Sequence, residues 1–227
     1  MHKPELTGQS RATRSVEDYI KAIYHLSAES TDATTRNLAG RLAVSGPAVS
    51  KMLRRLTAMG LIEHERGRPV RLSSTGRLMA LEMVRHHRLL ELYLVEALGY
   101  GWDTVHDEAE RLEHHISEEF ENRIDALLGH PTFCPHGDPI PDSNLSIAAA
   151  AGRALSQVRP PAELTVIRVS DKSAALLKYV AGLGLVPGAA LRLVEQEPFG
   201  GSFVVEVGGK VARLAPSVAD AITVSAR

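Results

Sequence analysis

Residues 34–62, TTRNLAGRLAVSGPAVSKMLRRLTAMGLI, decide the fold of this chain. Thr34 or Thr35 is placed to cap a short helix whose Leu38, Ala39 and Leu42 turn inward. The Val44-Ser45-Gly46 break interrupts that helix. Pro47 then suits the first turn of a second helix, because its missing N–H would be unpaired there anyway. Gly60 suits the position just past that helix's end. Two short helices across a tight break form a helix-turn-helix, whose second helix usually enters the DNA major groove. Upstream, VEDYIKAIYHLSAES (16–30) spaces Val16, Tyr19, Ile20, Ile23, Tyr24 and Leu26 as one apolar helix face. Downstream, IEHERGRPVRLSSTG (62–76) alternates and turns at Gly67-Arg68-Pro69, which predicts a β-hairpin wing.

Charge follows the same division. The whole chain of 227 residues carries a formal net charge of −1, which taken alone argues against a polyanion partner. Residues 1–72 hold a net of +5, residues 73–142 a net of −9 and residues 143–227 a net of +3. The basic block coincides with the helix-turn-helix. Ser45, Pro47 and Ser50 lie near the end of the second helix that reaches base edges. Lys51, Arg54 and Arg55 form a cationic strip, Thr35 and Arg36 open the first helix of the pair, and Arg66, Arg68 and Arg71 make the wing fit for phosphates. The competing use of the motif, for protein contacts alone, does not require this agreement of helix, turn, basic second helix and basic wing.

The acidic block carries metal-ligand residue types at helical spacing. His87 and Glu91 stand at i and i+4 in MALEMVRHHRLLELYLVEALG (79–99). In TVHDEAERLEHHISEEFENRIDALLG (104–129), expected to be one long helix, His106, Glu110, Glu113 and His114 share a stripe. Crowded carboxylates and imidazoles repel one another unless a cation is present, so these rows are candidate divalent-metal sites. His86, His115, His130 and His136 lack comparable partners and read as structural or solvated. The spacing is not HExxH, so a zincin-type helix is absent. Cys134 is the only cysteine, which excludes an intrachain disulfide and reads as a buried loop residue.

VEDYIKAIY, AVSGPAVSKML, HHRLLELYL, TVHDEAERLEHHIS and CPHGDPIP together resemble the diphtheria toxin repressor family of metal-dependent transcriptional regulators. The resemblance implies a mainly α fold with a C-terminal β-barrel. Its parts are a winged helix-turn-helix over 1–72, a helical metal-binding and dimerisation domain over 73–142, a linker over 143–160, and a Src-homology-3-like (FeoA-like) barrel over 161–227. Strands are expected in ELTVIRVS, ALRLVEQ and SFVVEVGG, with a helix in ALLKYVAGLG. The resemblance also implies two sites. The primary site would take Asp18, Glu110, Glu113 and His114; the ancillary site would take His87, Glu91 and His106, with Asp171 from the barrel. DKSAALL departs from the family spacing, so no second barrel ligand is assigned.

The iron-responsive members of that family place Met and Cys where this chain has Asp18 and Glu110. Exchanging soft sulfur donors for carboxylates makes a hard site suited to Mn²⁺, with Fe²⁺ as the alternative; Zn²⁺, Co²⁺ or Ni²⁺ can replace Mn²⁺ in vitro. Lys21 stands where one manganese-regulator type has a Glu, so two separate mononuclear sites are expected rather than a bridged pair.

The sequence therefore predicts a Mn²⁺-activated repressor, acting as a homodimer on palindromic double-stranded operator DNA, with metal-transport genes as targets. The N-terminal stretch has no signal-peptide core and no apolar run is long enough to span a bilayer, so a cytoplasmic, reduced location is expected. A metal-independent repressor sensing a small organic ligand is the alternative regulator. An enzyme is not expected: no Ser/His/Asp set, phosphate-cradling glycine loop or nucleophilic cysteine supports one.

Overall fold

The computed structural model describes residues 13–227 apart from Ser30, Arg66 and Ala150, so the wing's Arg66 lies outside the described residues. The chain divides into two compact units. Of the described residues, one takes those from 13 to 87 with Glu113–Ile116 and Pro141–Ile147; the other takes Arg88–Leu112, Ser117–Ile140 and 148–227.

In the first unit, helices α1 (Arg14–Ala28), α2 (Thr35–Leu42) and α3 (Gly46–Ala58) precede a two-stranded wing, β1 (Ile62–Glu63) with β2 (Arg71–Leu72). Ile62 pairs antiparallel with Leu72. The cap of α2 is Thr34, whose hydroxyl accepts the Asn37 N–H at 3.2 Å. Ala43 ends α2 in the left-handed region at φ 53°, which turns the chain sharply. Ser45 then caps α3, accepting the Ala48 N–H at 3.4 Å. Val16, Ile20, Ile23, Leu38, Val49, Leu53 and Leu56 are at most 1% exposed and close one core among the three helices. Fully burying such a side chain stabilises by roughly 1.5–3 kcal/mol, which offsets the ordering of these short helices. Leu145 and Ile147, within the stretch 143–160, pack against the same core. Helix α4 (Ser74–Leu98) starts against the wing, and a Cβ at Gly76 would lie 2.0 Å from Leu61 O, so only glycine permits that approach.

The long helix expected over 104–129 is instead two, α5 (Val105–Leu112) and α6 (Glu118–Leu127). Glu113–His115 form a turn between them, and Ser117 caps α6 by accepting the Phe120 N–H at 3.2 Å. Helical spacing continues through the break, but buried ion pairing of Glu113 and a competing N-cap override it.

The second unit contains a six-stranded antiparallel sheet in the order β3-β8-β4-β5-β6-β7. Its strands are β3 (Arg153–Ala154), β4 (Ala162–Val169), β5 (Ala190–Gln196), β6 (Phe203–Val207), β7 (Lys210–Leu214) and β8 (Ile222–Ala226). Helix α7 (Ala174–Gly182) lies between β4 and β5 in the chain, and α8 (Pro216–Asp220) precedes β8. The expected closed barrel is corrected to an open sheet: β3 and β7 are its two edges and do not pair. Closure requires the edges to meet in register, and β3 has only two residues to offer. Val166, Leu177, Val180, Leu193, Val205 and Leu214, each at most 1% exposed, form its core, with Trp102 packed against it.

Candidate functional site

Asp18 lies on α1 and Glu113 and His114 in the turn after α5, and the first unit brings donor atoms of all three within 4.8 Å of one another. His114 Nδ1 is 2.7 Å from Glu17 Oε2. A carboxylate accepts, so Nδ1 carries the hydrogen and Nε2 presents its lone pair. That Nε2 is buried, has no hydrogen-bond partner, and lies 3.0 Å from Asp18 Oδ1 and 3.5 Å from Glu113 Oε1. A lone pair aimed between two carboxylate oxygens is a mismatch that a cation resolves. The donor set therefore fits a divalent metal, and its oxygen-rich chemistry is hard.

Glu113 is 1% exposed. Lys21 Nζ stands 2.6 Å from its Oε1, and His87 Nδ1 is 2.7 Å from its Oε2. Burial pushes the Glu113 carboxyl up, but the hydrogen bond from His87 and the charge of Lys21 outweigh it and hold the group below the usual carboxylate range. His87, expected as an ancillary ligand, thus hydrogen-bonds a residue expected in the primary set. Glu17 and Lys21 are partners of His114 and Glu113 that spacing does not announce. For Glu17, a carboxylate one residue before Asp18 is the only available signal.

In the second unit, Glu91 on α4, His106 on α5 and Asp171 just after β4 bring donor atoms within 4.8 Å of one another. His106 Nδ1 is 3.2 Å from Glu91 Oε1 and 3.8 Å from Asp171 Oδ2. Glu110, expected with Asp18, lies on α5 in this unit, 3.8 Å from His106 Nε2. Two residues to which helical spacing gives no metal role also converge on Glu91: Cys134 and His136, both buried. His136 Nε2 is 2.9 Å from the Trp102 carbonyl and so carries the hydrogen. Its Nδ1 is buried without a hydrogen-bond partner, 3.5 Å from Glu91 Oε2. Burial works against the imidazolium, but Glu91 overcomes it and raises the pKa of His136. Burial, then the negative charge of Glu91 and Asp138, pushes the Cys134 thiol well above its usual value. These residues fit a cation with mixed hard and soft donors. The Cys-x-His spacing in CPHG is the sequence signal that could have found them.

Of the candidate DNA contacts, Arg36, Ser45, Pro47, Lys51, Arg54, Arg55 and Arg68 are exposed, and Thr35 and Ser50 are half-buried. Ser45 spends its oxygen on the α3 cap yet keeps its O–H to donate. Among the described residues no helix is long and apolar enough to cross a membrane.

A winged helix-turn-helix in a chain that also clusters carboxylates and imidazoles is the combination expected of a metal-dependent transcriptional repressor. Family models agree: residues 11–70 match the iron dependent repressor N-terminal DNA binding domain, 73–142 its metal binding and dimerisation domain, and 153–226 the FeoA domain. The iron-dependent repressor IdeR of Mycobacterium leprae (strain TN) is 33% identical, over 92% of this chain and 96% of its own. A manganese-dependent transcriptional repressor solved in complex with manganese superposes with a TM-score of 0.86 at 39% identity, covering 93% of this chain and 100% of that one. ScaR with bound Cd²⁺ gives 0.81 at 32%, covering 93% and 99%. The chain belongs to the diphtheria toxin repressor family of iron- and manganese-dependent repressors. It is not an enzyme; it takes operator DNA and a second copy of itself as partners.

Proposed function

We propose that this repressor is activated by Mn²⁺, binds a palindromic operator as a homodimer in the cytoplasm, and controls metal-transport genes. The observation that carries this is the buried, unpartnered His114 Nε2 between the carboxylates of Asp18 and Glu113. Glu110 joins this primary set by its position in the sequence. A second set comprises Glu91, His106 and Asp171, extended here by Cys134 and His136, with His87 kept for its i,i+4 relation to Glu91. A bound divalent cation supplies the positive charge that lets the clustered carboxylates stay together.

Asp18 belongs to the helix that braces the helix-turn-helix, whereas Glu113 and His114 belong to the turn between α5 and α6. Holding these together fixes that turn to α1, and with it the reading head. Lys51, Arg54 and Arg55 of α3 and Arg68 of the wing then meet phosphates and base edges in successive half-sites. Metal selects the binding-competent state by its differential affinity. The likeness to IdeR supports a second reading, activation by Fe²⁺.

Operator titrations at buffered free Mn²⁺, Fe²⁺ and Zn²⁺ test both. Activation at a free Mn²⁺ level where Fe²⁺ leaves the operator unbound is expected. Zn²⁺ binding more tightly would not count against Mn²⁺, since Mn²⁺ lies lowest in the affinity order. Operator binding unchanged by chelator would overturn the metal reading.

A further inference from the structure

The residues of the second cluster come from different elements, and the loop carrying Cys134 and His136 has little regular structure of its own. It is a tight hairpin: Phe133 bridges Pro139, the Cys134 N–H donates to the Asp138 carbonyl at 2.9 Å, and the Gly137 N–H returns to the Cys134 carbonyl at 2.9 Å. Such a hairpin has no apolar core and must be held from outside.

Two arginines hold it. Arg168 Nε donates to Asp138 Oδ1 at 2.8 Å, and Arg88 Nη2 reaches the same oxygen at 3.3 Å. Arg88 Nη1 also donates to the Pro139 carbonyl. Arg88 sits on α4 three residues before Glu91, while Arg168 is in β4 of the C-terminal sheet, three before Asp171. The carboxylate of Asp138 is largely buried, as is Arg88 (12% side-chain exposure each), so these charge-assisted bonds are shielded from solvent.

The sheet is shaped to receive this loop. β4 slips register against β8 between Val166 and Arg168, which leaves Ile167 as an extra residue. A Cβ on Gly137, at φ +87°, would lie 2.0 Å from the Ile167 carbonyl, so the loop meets the bulge backbone to backbone. Close by, the Val169 N–H donates to the carbonyl of His136 itself at 2.9 Å.

We propose that Asp138, gripped by Arg88 and Arg168, is a positioning residue that sets Cys134 and His136 against Glu91, so that the C-terminal sheet controls cation binding at the second cluster. This rests on the reading of that cluster as a metal site. Arg168 is the residue to change, because its half-exposed side chain can be replaced without emptying a core.

The experiment titrates full-length protein with Co²⁺, following the thiolate-to-cobalt absorption band of Cys134 and counting bound metal by mass spectrometry after dialysis. In wild type, two equivalents and a thiolate band are expected. Arg168→Met and Asp138→Ala should lose the band and weaken the second equivalent by about 10–100-fold, the usual effect of removing support behind a ligand. The first equivalent should stay unchanged in Arg168→Met. Arg168→Lys, which keeps the charge, should recover most of the band. An Arg168→Met protein with the wild-type band and second equivalent would overturn the proposal. A wild type with one equivalent and no thiolate band would instead overturn the metal reading of the second cluster.

Discussion

The two clusters draw on the same carboxylates and imidazoles but balance their charge differently. Around Glu113 the chain supplies its own cation, with Lys21 Nζ 2.6 Å away and His87 on the other oxygen. Around Glu91 the neighbours include the imidazoles of His106 and His136, the thiol of Cys134 and the carboxylate of Asp171. The pKa directions differ: Glu113 is pulled down after burial is overcome, whereas His136 is pushed up by Glu91 against burial, and Cys134 is pushed up mainly by burial and then by the charges of Glu91 and Asp138. A metal at the proposed first site would compete with the Lys21 ammonium for Glu113. One at the proposed second site would meet a Cys134 thiol whose proton must leave.

That contrast can be broken experimentally, starting where the effect is greatest. Asp18→Ala should abolish the metal response of operator binding, a loss on the order of 100-fold at saturating Mn²⁺ given the usual scale of allosteric coupling. Its circular dichroism should be unchanged, because Asp18 is not a core residue. Gel-shift titration against free Mn²⁺ reads this directly. The pair Asp18→Met with Glu110→Cys should shift activation from Mn²⁺ towards Fe²⁺, and a retained Mn²⁺ preference would refute the argument from donor softness.

Glu17→Gln sharpens the comparison at a smaller scale. It leaves an acceptor for His114 Nδ1 but removes the negative charge that polarises the ring, and should weaken metal binding by about 10-fold, as changes to supporting partners commonly do. Isothermal titration with Mn²⁺ measures it, and the operator affinity at saturating metal should be preserved. Cys134→Ser should have the least effect on Mn²⁺-dependent operator binding, about 3-fold or less, while costing about 10-fold or more in Cd²⁺ affinity through loss of the soft donor. Equal losses for Mn²⁺ and Cd²⁺ would erase the distinction between the clusters.

Most of the reading head is legible in the residues alone. The apolar spacing of Val16 to Leu26, the capped and broken helices of 34–62 and the wing turn are local signals, and each of these elements forms as expected. The spacings that draw attention to Glu91 and His106, and to Glu113 and His114, also lead to clustered side chains. The break at 113–117 is only partly legible: helical periodicity runs through it, Ser117 is a local N-cap signal, and the buried pairing of Glu113 with Lys21 and His87 is visible only in the structure. The partner of His87 is not legible, because the i,i+4 relation of His87 to Glu91 is as well formed as any on α4. Cys134 and His136 read as a buried loop residue and a structural histidine because their partner, Glu91, is more than forty residues away.

The sequence by itself determined the reading head, the unequal charge of its three blocks and the kinds of donor available, because these depend on residue type and on contacts within a turn or two. The tertiary structure decided which donors meet, which proton each imidazole carries, and that the C-terminal sheet stays open. Those outcomes depend on desolvated charges finding partners across the chain, where a carboxylate's nearest cation is set by packing and not by spacing.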